Sequence, residues 1–385
     1  MKSNYKKIGD HIRLVDERNA GHKVKTLLGL SISKQFIPSV ANIIGTDMEN
    51  YKIIRKNQFA CSTMQVRRDK KMPVALLKEH DEAMMSAAYP VFEVADTKKL
   101  LPEYLMMWFS RAEFDREACF YAIGGVRGSL EWEDFCDMKL PIPHPDTQKE
   151  IVKEYNTIVN RIALNNQLIQ KLEEAAQAIY REWFVKVSNE NWELKTLNDL
   201  CSLITDGKHG DCEDEINSGY YFVSVKDLSN GEIIYNNARQ ITKKDFEETH
   251  RRTNLSAGDI LLTNAGTIGR MAIVKDLPET KRTTFQKSIA ILKPDTKIAK
   301  TYFLFSLLKS HGKSIIDLAG GSTQSNLLLG DLRNYKIKYP GFDSVCDFEK
   351  TVTPIFQMMG LKGLVTQKLE STKDLLLSKL ATIEN

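Results

Sequence analysis

Stepping from Ile151 by alternate intervals of four and three gives Ile151, Tyr155, Ile158, Ile162, Asn165, Ile169, Leu172, Ala176, Ile179 and Trp183, nine of them apolar. A 3.5-residue period held for more than four heptads predicts a coiled-coil seam rather than an ordinary surface helix. Pro143 and Pro145 bar an earlier start, and "TQKE" (147–150) has capping-box spacing, so the helix is expected from about Thr147. A second series runs Phe348, Val352, Ile355, Met359, Lys362, Thr366, Leu369, Lys373, Leu376 and Leu380, with seven apolar positions and a stripe that wanders toward Leu361, Leu364 and Val365. Each helix would be ~55 Å long at about 1.5 Å per residue. Elsewhere the pattern is β-rich, as in "KIIRKNQFACSTM" (52–64) and "AGDILLTNAGTIGRMAIV" (257–274). The helices either pack independently on their own domains or pair with each other, antiparallel, burying both seams. Pairing is the expectation, because each follows a globular segment and ends on apolar residues. Asn165 is open to two readings: a register-fixing polar residue or a tolerated one.

The two helical segments belong to a longer duplication. "QKLE" recurs at Gln170 and Gln367, 197 positions apart. Upstream, Tyr104 corresponds to Tyr302, Gly124–Gly125 to Gly320–Gly321, and Pro143 to Pro340, at offsets between 196 and 198. Resemblance is strongest from the Gly-Gly loop onward; residues 1–95 and 190–295 are alike only in outline. Parts that stay alike suggest a common framework, and parts that differ suggest where specificity lives. The expected fold class is α+β: two mixed α/β domains separated by two long helices pairing as an antiparallel coiled coil. The expected boundaries are 1–146 and 188–343 for the domains, and 147–187 and 344–385 for the helices.

Length and composition agree with a multidomain globular chain: 385 residues, 42% hydrophobic. The first residues lack the apolar core of a signal peptide, and six scattered cysteines without a CxxC pair predict free thiols in a reducing cytoplasm. Net charge is only +4, with 22 Lys and Arg to 20 Asp and Glu in residues 1–146 and 21 to 20 in 188–343. Bulk charge therefore does not announce nucleic acid.

Sequences that look catalytic fail on inspection. "SHGKS" (310–314) has Leu307 where a phosphate loop needs its leading glycine. "HDEAMM" (80–85) follows a charged segment rather than an apolar strand, and "GTIGR" (266–270) has too few glycines for a dinucleotide fingerprint. There is no HExxH, no His-acid cluster at metal spacing, no nuclease carboxylate-lysine pair after either "PD", and no Asn-Pro-Pro-aromatic motif of an amino-methyltransferase. The chain is expected to be non-catalytic.

What remains is a set of donor-rich loops. "GGVRGS" (124–129) and "GGSTQSN" (320–326) occupy equivalent places before the helices, and glycines let backbone amides approach phosphates closely. They contribute Gly125, Arg127, Ser129, Thr323, Gln324 and Asn326. "STMQVRRDKK" (62–71) adds Gln65, Arg67, Arg68, Lys70 and Lys71 after a strand. In the second half, "DGKHGD", "SVKDLSNG" and "HRRTN" offer Lys208, His209, Lys226, Arg251 and Arg252, and the β-rich run adds Asn264 and Arg270. Taken singly, each basic residue reads as a solvated side chain. Taken together, their recurrence favours DNA contact.

The order of variable domain, Gly-Gly loop, "MKLPIPHPDTQKEIV" (138–152), long helix, second variable domain, Gly-Gly loop and long helix resembles the specificity subunit of type I restriction-modification systems across essentially the whole chain. "FVSVKDLSNGEI" (222–233) and "GGSTQSNL" (320–327) carry the same likeness. The resemblance implies two target recognition domains, each reading half of a split, asymmetric site on double-stranded DNA, with the helices setting the gap. It implies two methyltransferase subunits that bring S-adenosylmethionine and methylate adenine at N6, and restriction subunits that use ATP and Mg. No cofactor would reside in this chain. The second half departs from the pattern in reading "IKYPG" for "LPIP", which questions equal docking at both ends. The alternatives are a specificity module for another restriction or phage-defence methyltransferase, and a two-headed protein-binding scaffold.

Overall fold

The computed structural model describes residues 5–39, 47–122, 128–187, 191–229, 231–236, 238–320 and 325–382. The chain forms two compact units, the first from residues 1–164 with 366–385 and the second from 165–365.

In the first unit a four-stranded antiparallel sheet has the order Ile12–Val15, Val91–Val94, Phe59–Cys61, Val74–Leu76. Phe59, Ala60 and Cys61 are all buried, so this strand is covered on both faces and shows no polar alternation. Phe59 and Phe92 stack at 5.0 Å, and Phe92 also meets Phe109, Trp132 and Phe135. These aromatics join the sheet to the helices Pro102–Phe109, Ala112–Tyr121 and Trp132–Asp137. The entry strand Tyr5–Lys7 pairs with Lys139–Pro141, immediately before the first long helix.

The second unit repeats this plan. Its sheet has the order Cys201–Asp206, Ile289–Pro294, Ile260–Thr263, Met271–Ile273, again antiparallel throughout. Helices Thr301–Ser310, Gly312–Ile316 and Leu329–Asn334 follow, and the entry strand Glu193–Thr196 pairs with Lys336–Tyr339. The variable parts, expected to be alike only in outline, thus share one sheet order: first strand, last strand, then the two middle ones. They differ in what surrounds it. The first unit adds the hairpin Leu28–Leu30 with Phe36–Pro38 and the pair Lys52–Arg55 with Glu82–Met85. The second adds a mixed sheet centred on Tyr221–Val223 and the helix Lys243–Thr253. The departure "IKYPG" leaves the framework strand in place, since Lys336–Tyr339 pairs as Lys139–Pro141 does.

The long helices span Pro145–Tyr180 and Phe342–Lys379. The first starts two residues before the expected Thr147. Pro145 opens the helix because proline's missing N–H costs nothing in the first turn. The expected capping box gives way to a different use of its residues. Gln148, fully buried, donates to the carbonyls of Lys99 and Pro143 (both 2.8 Å) and accepts from Leu101 N (2.9 Å). It thereby ties the segment leading into the helix Pro102–Phe109 to the start of the long helix. Glu349 in the second unit goes further and caps the helix Thr301–Ser310, accepting from Tyr302 N (3.1 Å) and Phe303 N (2.9 Å), and its burial raises the carboxyl's pKa.

Within each unit the long helices meet antiparallel. In the first, Tyr155, Val159 and Ile162 line a concavity with Lys373, Asp374 and Leu377. In the second, Ile169, Ala176, Tyr180 and Phe184 share a core with Phe348, Val352, Phe356 and Met359. The first seam holds through Ala176 and then shifts by one residue, burying Tyr180 and Phe184 and leaving Trp183 exposed. A π-helical turn covers Arg181–Lys186. In the second helix Leu361 and Val365 are exposed rather than drawn into the stripe. The inward position there is Gly363, where an added Cβ would lie 2.6 Å from Glu232 Cδ. Beside it Lys275 pairs with Glu232 and donates to Gly360 O (3.3 Å). Gly363, which weakens a helix on propensity alone, thus makes room for a half-buried ion pair. Asn165 is buried, and its Nδ2 has no hydrogen-bond partner among the described residues.

All six cysteines are free, and burial pushes the Cys201 thiol up to about 12. No helix among the described residues is long and apolar enough to cross a membrane, and these residues hold no metal-binding cluster. Burial also lowers the His311 pKa; the ring's Nδ1 lies 2.9 Å from the Tyr335 hydroxyl. A histidine whose folded pKa lies below its unfolded value near 6.5 binds fewer protons folded than unfolded. Its stabilisation is therefore present above pH ~6.5 and lost as pH falls through the folded pKa. Thermal midpoints measured between pH 7.5 and 5.5 are expected to fall less steeply for His311→Gln than for the wild type.

Candidate nucleic-acid interface

The shared sheet order puts the same connection at the same end of each unit. In the first, residues 62–73 join Phe59–Cys61 to Val74–Leu76; in the second, 264–270 join Ile260–Thr263 to Met271–Ile273. Each connection is latched to the segment following the Gly-Gly loop. Leu130 N donates to Thr63 O at 2.9 Å, and Leu327 N donates to Asn264 O at 2.8 Å. Two loops about sixty residues apart in sequence are brought side by side, twice.

In the first unit the connection contains a short helix, Val66–Asp69, bounded by Gln65 and Lys70, both left-handed (φ 64° and 52°). Val66 and Met72 are buried and pin the loop, leaving Arg67, Arg68, Lys70 and Lys71 exposed. Arg68 pairs with Asp69 at 2.6 Å, whereas Arg67, Lys70 and Lys71 have no ion pair among the described residues. Arg67 N donates to Gly128 O at 3.1 Å. Gly128 needs to be glycine on two counts: φ is +60°, and a Cβ would press on the Arg67 side chain, 3.2 Å from its Cδ. Ser129 is half-buried beside it. Gly125 and Arg127 lie outside the described residues.

In the second unit the sheet end gathers more of the chain. Gly207 N donates to Ile289 O (3.2 Å), Lys208 N to Phe285 O (2.7 Å), and Lys287 N to Lys208 O (3.0 Å). Asn264 N donates to Ser288 O (2.9 Å), and Gly320 and Asn326 exchange backbone bonds of 3.2 and 2.8 Å. Lys208, His209, Asn264 and Asn326 are therefore brought to one place. Asn264 is buried, and its Oδ1 has no partner among the described residues. Arg252 joins them from the helix Lys243–Thr253, reaching Asp206 (3.1 Å) and the Gly207 carbonyl. Arg270 donates to Val225 O at 3.2 Å, which sets it beside exposed Lys226. Arg251 is exposed on the same helix as Arg252. Thr323 and Gln324 lie outside the described residues.

Not all these cations are free. Lys208, expected as an available donor, is held by Glu248 (2.6 Å) and faces Asp245 (3.6 Å), with its side chain only 12% exposed. His209 meets Asp206 at 2.8 Å. Sequence reasoning missed Asp206, Asp245 and Glu248, although acids alternate with bases in "DGKHGD" and "KKDFEETHRR". It also missed Arg239, whose guanidinium pairs with Asp211 (2.5 Å) and Asp214 and so ties down the loop after His209.

Comparison with known proteins agrees with the duplication. The sequence model of the family described as "Type I restriction modification DNA specificity domain" matches residues 40–174 and 189–343. The specificity subunit of the type I restriction enzyme EcoBI from Escherichia coli is 24% identical over 249 residues, covering 57% of this chain and 52% of that protein. The MjaVIII specificity subunit from Methanocaldococcus jannaschii is 22% identical over 267 residues, covering 64% and 62%. The chain thus spans between half and two thirds of the length of these relatives. Among solved structures, the S subunit of a type I restriction-modification system from M. genitalium superposes with a TM-score of 0.55 at 14% identity, covering 99% of this chain and 96% of that one. That likeness establishes the fold, and the paired family matches establish descent: the chain belongs to the type I restriction modification DNA specificity domain family and carries that domain twice.

Proposed function

We propose that this chain is the non-catalytic specificity subunit of a type I restriction-modification complex, and that each unit reads one half of a split, asymmetric site on double-stranded DNA. The observation that carries the reading is the repeated sheet end. In both units the connection between the two middle strands is latched to the Gly-Gly segment, and candidate donors gather there on scaffolds that otherwise differ. A shared framework with unlike loops is what two readers of unlike sequences require. Two methyltransferase subunits supply S-adenosylmethionine and methylate an adenine in each half, and restriction subunits supply the ATP- and Mg-dependent steps. The complex works in the cytoplasm.

The test is to co-express the chain with the methyltransferase encoded beside it and map modified adenines across the genome by single-molecule sequencing. One two-part motif with a fixed gap is expected. An assembled complex that leaves the genome unmethylated would overturn the reading. In the same complex, Lys70→Gln with Lys71→Gln is expected to reduce the slope of log affinity against log salt by about two, since each phosphate contact contributes roughly 0.9.

A further inference from the structure

The two sheet ends differ in how their cations are held, and the difference bears on selectivity. In the first unit Arg67, Lys70 and Lys71 are exposed and carry no ion pair among the described residues. In the second, Lys226 and Arg270 are likewise exposed without an ion pair among the described residues, but Lys208, His209 and Arg252 at the same end are held by acids. Glu248 Oε2 lies 2.6 Å from Lys208 Nζ, and Asp206 divides its two oxygens between His209 Nε2 (2.8 Å) and Arg252 Nη1 (3.1 Å). Arg252 also donates to Thr205 Oγ1 (3.3 Å) and the Gly207 carbonyl. Asp245 faces Lys208 as well, at 3.6 Å, but it is committed to the backbone, accepting from Glu213 N (2.8 Å) and capping its helix with Thr242. Among the described residues no such backbone bond ties down Glu248, whose side chain is 58% exposed. Asp206 is 14% exposed, at the last residue of the strand Cys201–Asp206.

Non-specific DNA binding is driven by cations that displace counterions from phosphates. A lysine already neutralised by a carboxylate 2.6 Å away contributes little to that term, because phosphate must first displace the acid. We propose that Asp206 and Glu248 are specificity-determining residues of the second unit. They withhold Lys208, His209 and Arg252 from arbitrary phosphates and release them only where the surrounding contacts hold a phosphate or base edge in position to replace the carboxylate. The proposal rests on the DNA-reading function above. It gives the second unit, beside its unpaired Lys226 and Arg270, a group of paired cations that engages selectively.

The test uses the co-expressed complex and two duplexes, one carrying the mapped motif and one of unrelated sequence, each titrated with salt. Glu248→Gln is expected to raise affinity for the unrelated duplex about three- to tenfold near 50–100 mM salt. It should steepen that duplex's salt slope by about one and lower the cognate-to-unrelated ratio by a similar factor. Adding Lys208→Gln in the same chain should return the unrelated-duplex affinity to the wild-type level, which a merely structural effect of Glu248 would not do. Asp206→Asn should act in the same direction, with circular dichroism confirming that both variants are folded. Unchanged or weaker binding of the unrelated duplex by folded Glu248→Gln would overturn the proposal while leaving DNA reading intact. A wild-type complex that binds neither duplex, or whose salt slope ignores Lys70 and Lys71, would remove the DNA reading and the proposal with it.

Discussion

Replacing Gly207 with alanine is expected to destabilise the second unit by about 3 kcal/mol or more, at the upper end of what overpacking costs. The backbone there crosses the segment at Phe285 so closely that an added Cβ would lie 2.5 Å from Gln286 O and 2.5 Å from the Phe285 carbonyl carbon, with the Phe285 oxygen nearer still. Those obstacles are main chain, so no side-chain rotation relieves them. The crossing is also where Lys208 N finds Phe285 O and Lys287 N finds Lys208 O. Pushing the strands apart would therefore disturb the candidate interface as well as the fold. Gly210, three residues on, supplies the control. Its φ is +92° with open space around it, so Gly210→Ala should cost only about 1 kcal/mol, from backbone strain. Urea denaturation of the two variants, followed by tryptophan fluorescence, separates these outcomes; equal midpoints would show that the crossing relaxes without loss.

Phe348→Ala should cost about 3–5 kcal/mol, the range for deleting a fully buried aromatic. Phe348 meets Phe184 at 5.3 Å, Tyr180 at 5.7 Å and Phe303 at 6.2 Å between ring centroids. It therefore joins both long helices to the helix Thr301–Ser310. The cavity would open where three elements converge. Phe342→Ala, at a partly exposed site on the same helix with Lys300 over its ring at 5.2 Å, should cost only about 1 kcal/mol. Calorimetry that found the two variants alike would refute this account of the junction.

Much of this architecture was legible in residue spacing. The 3.5-residue seams marked both long helices, and the offset of 196 to 198 marked the duplication, because long periodic signals and repeated loops survive divergence. The common sheet order was not legible. Its strands are three to six residues long, and "FAC" and "ILLT" share no side chain although both lie third in their sheets. Strand order is set by backbone pairing, to which composition is nearly blind. The shift of the first seam to Tyr180 and Phe184 escaped for another reason: the helix there packs on the second domain's helix Thr301–Ser310 as well as on its partner helix. For the candidate interface, the sequence located the loops but not their electrostatic state. Lys208 and Glu248 are forty positions apart, and only the fold reveals that one charge cancels the other.

The pairing of each unit's entry strand with the strand just ahead of its long helix has a bearing on how such a chain can change. Tyr5–Lys7 lies against Lys139–Pro141, and Glu193–Thr196 against Lys336–Tyr339. The point where the polypeptide enters each globular domain, ahead of its long helix, is thus only one strand's width from the point where it leaves, about 5 Å. Everything between those points is a closed excursion that returns to its origin. A recombination event with one crossover in each strand of such a pair could exchange the whole excursion for another of the same sheet order. The long helices would keep their sequence and their register, so selectivity could be replaced in a single genetic step.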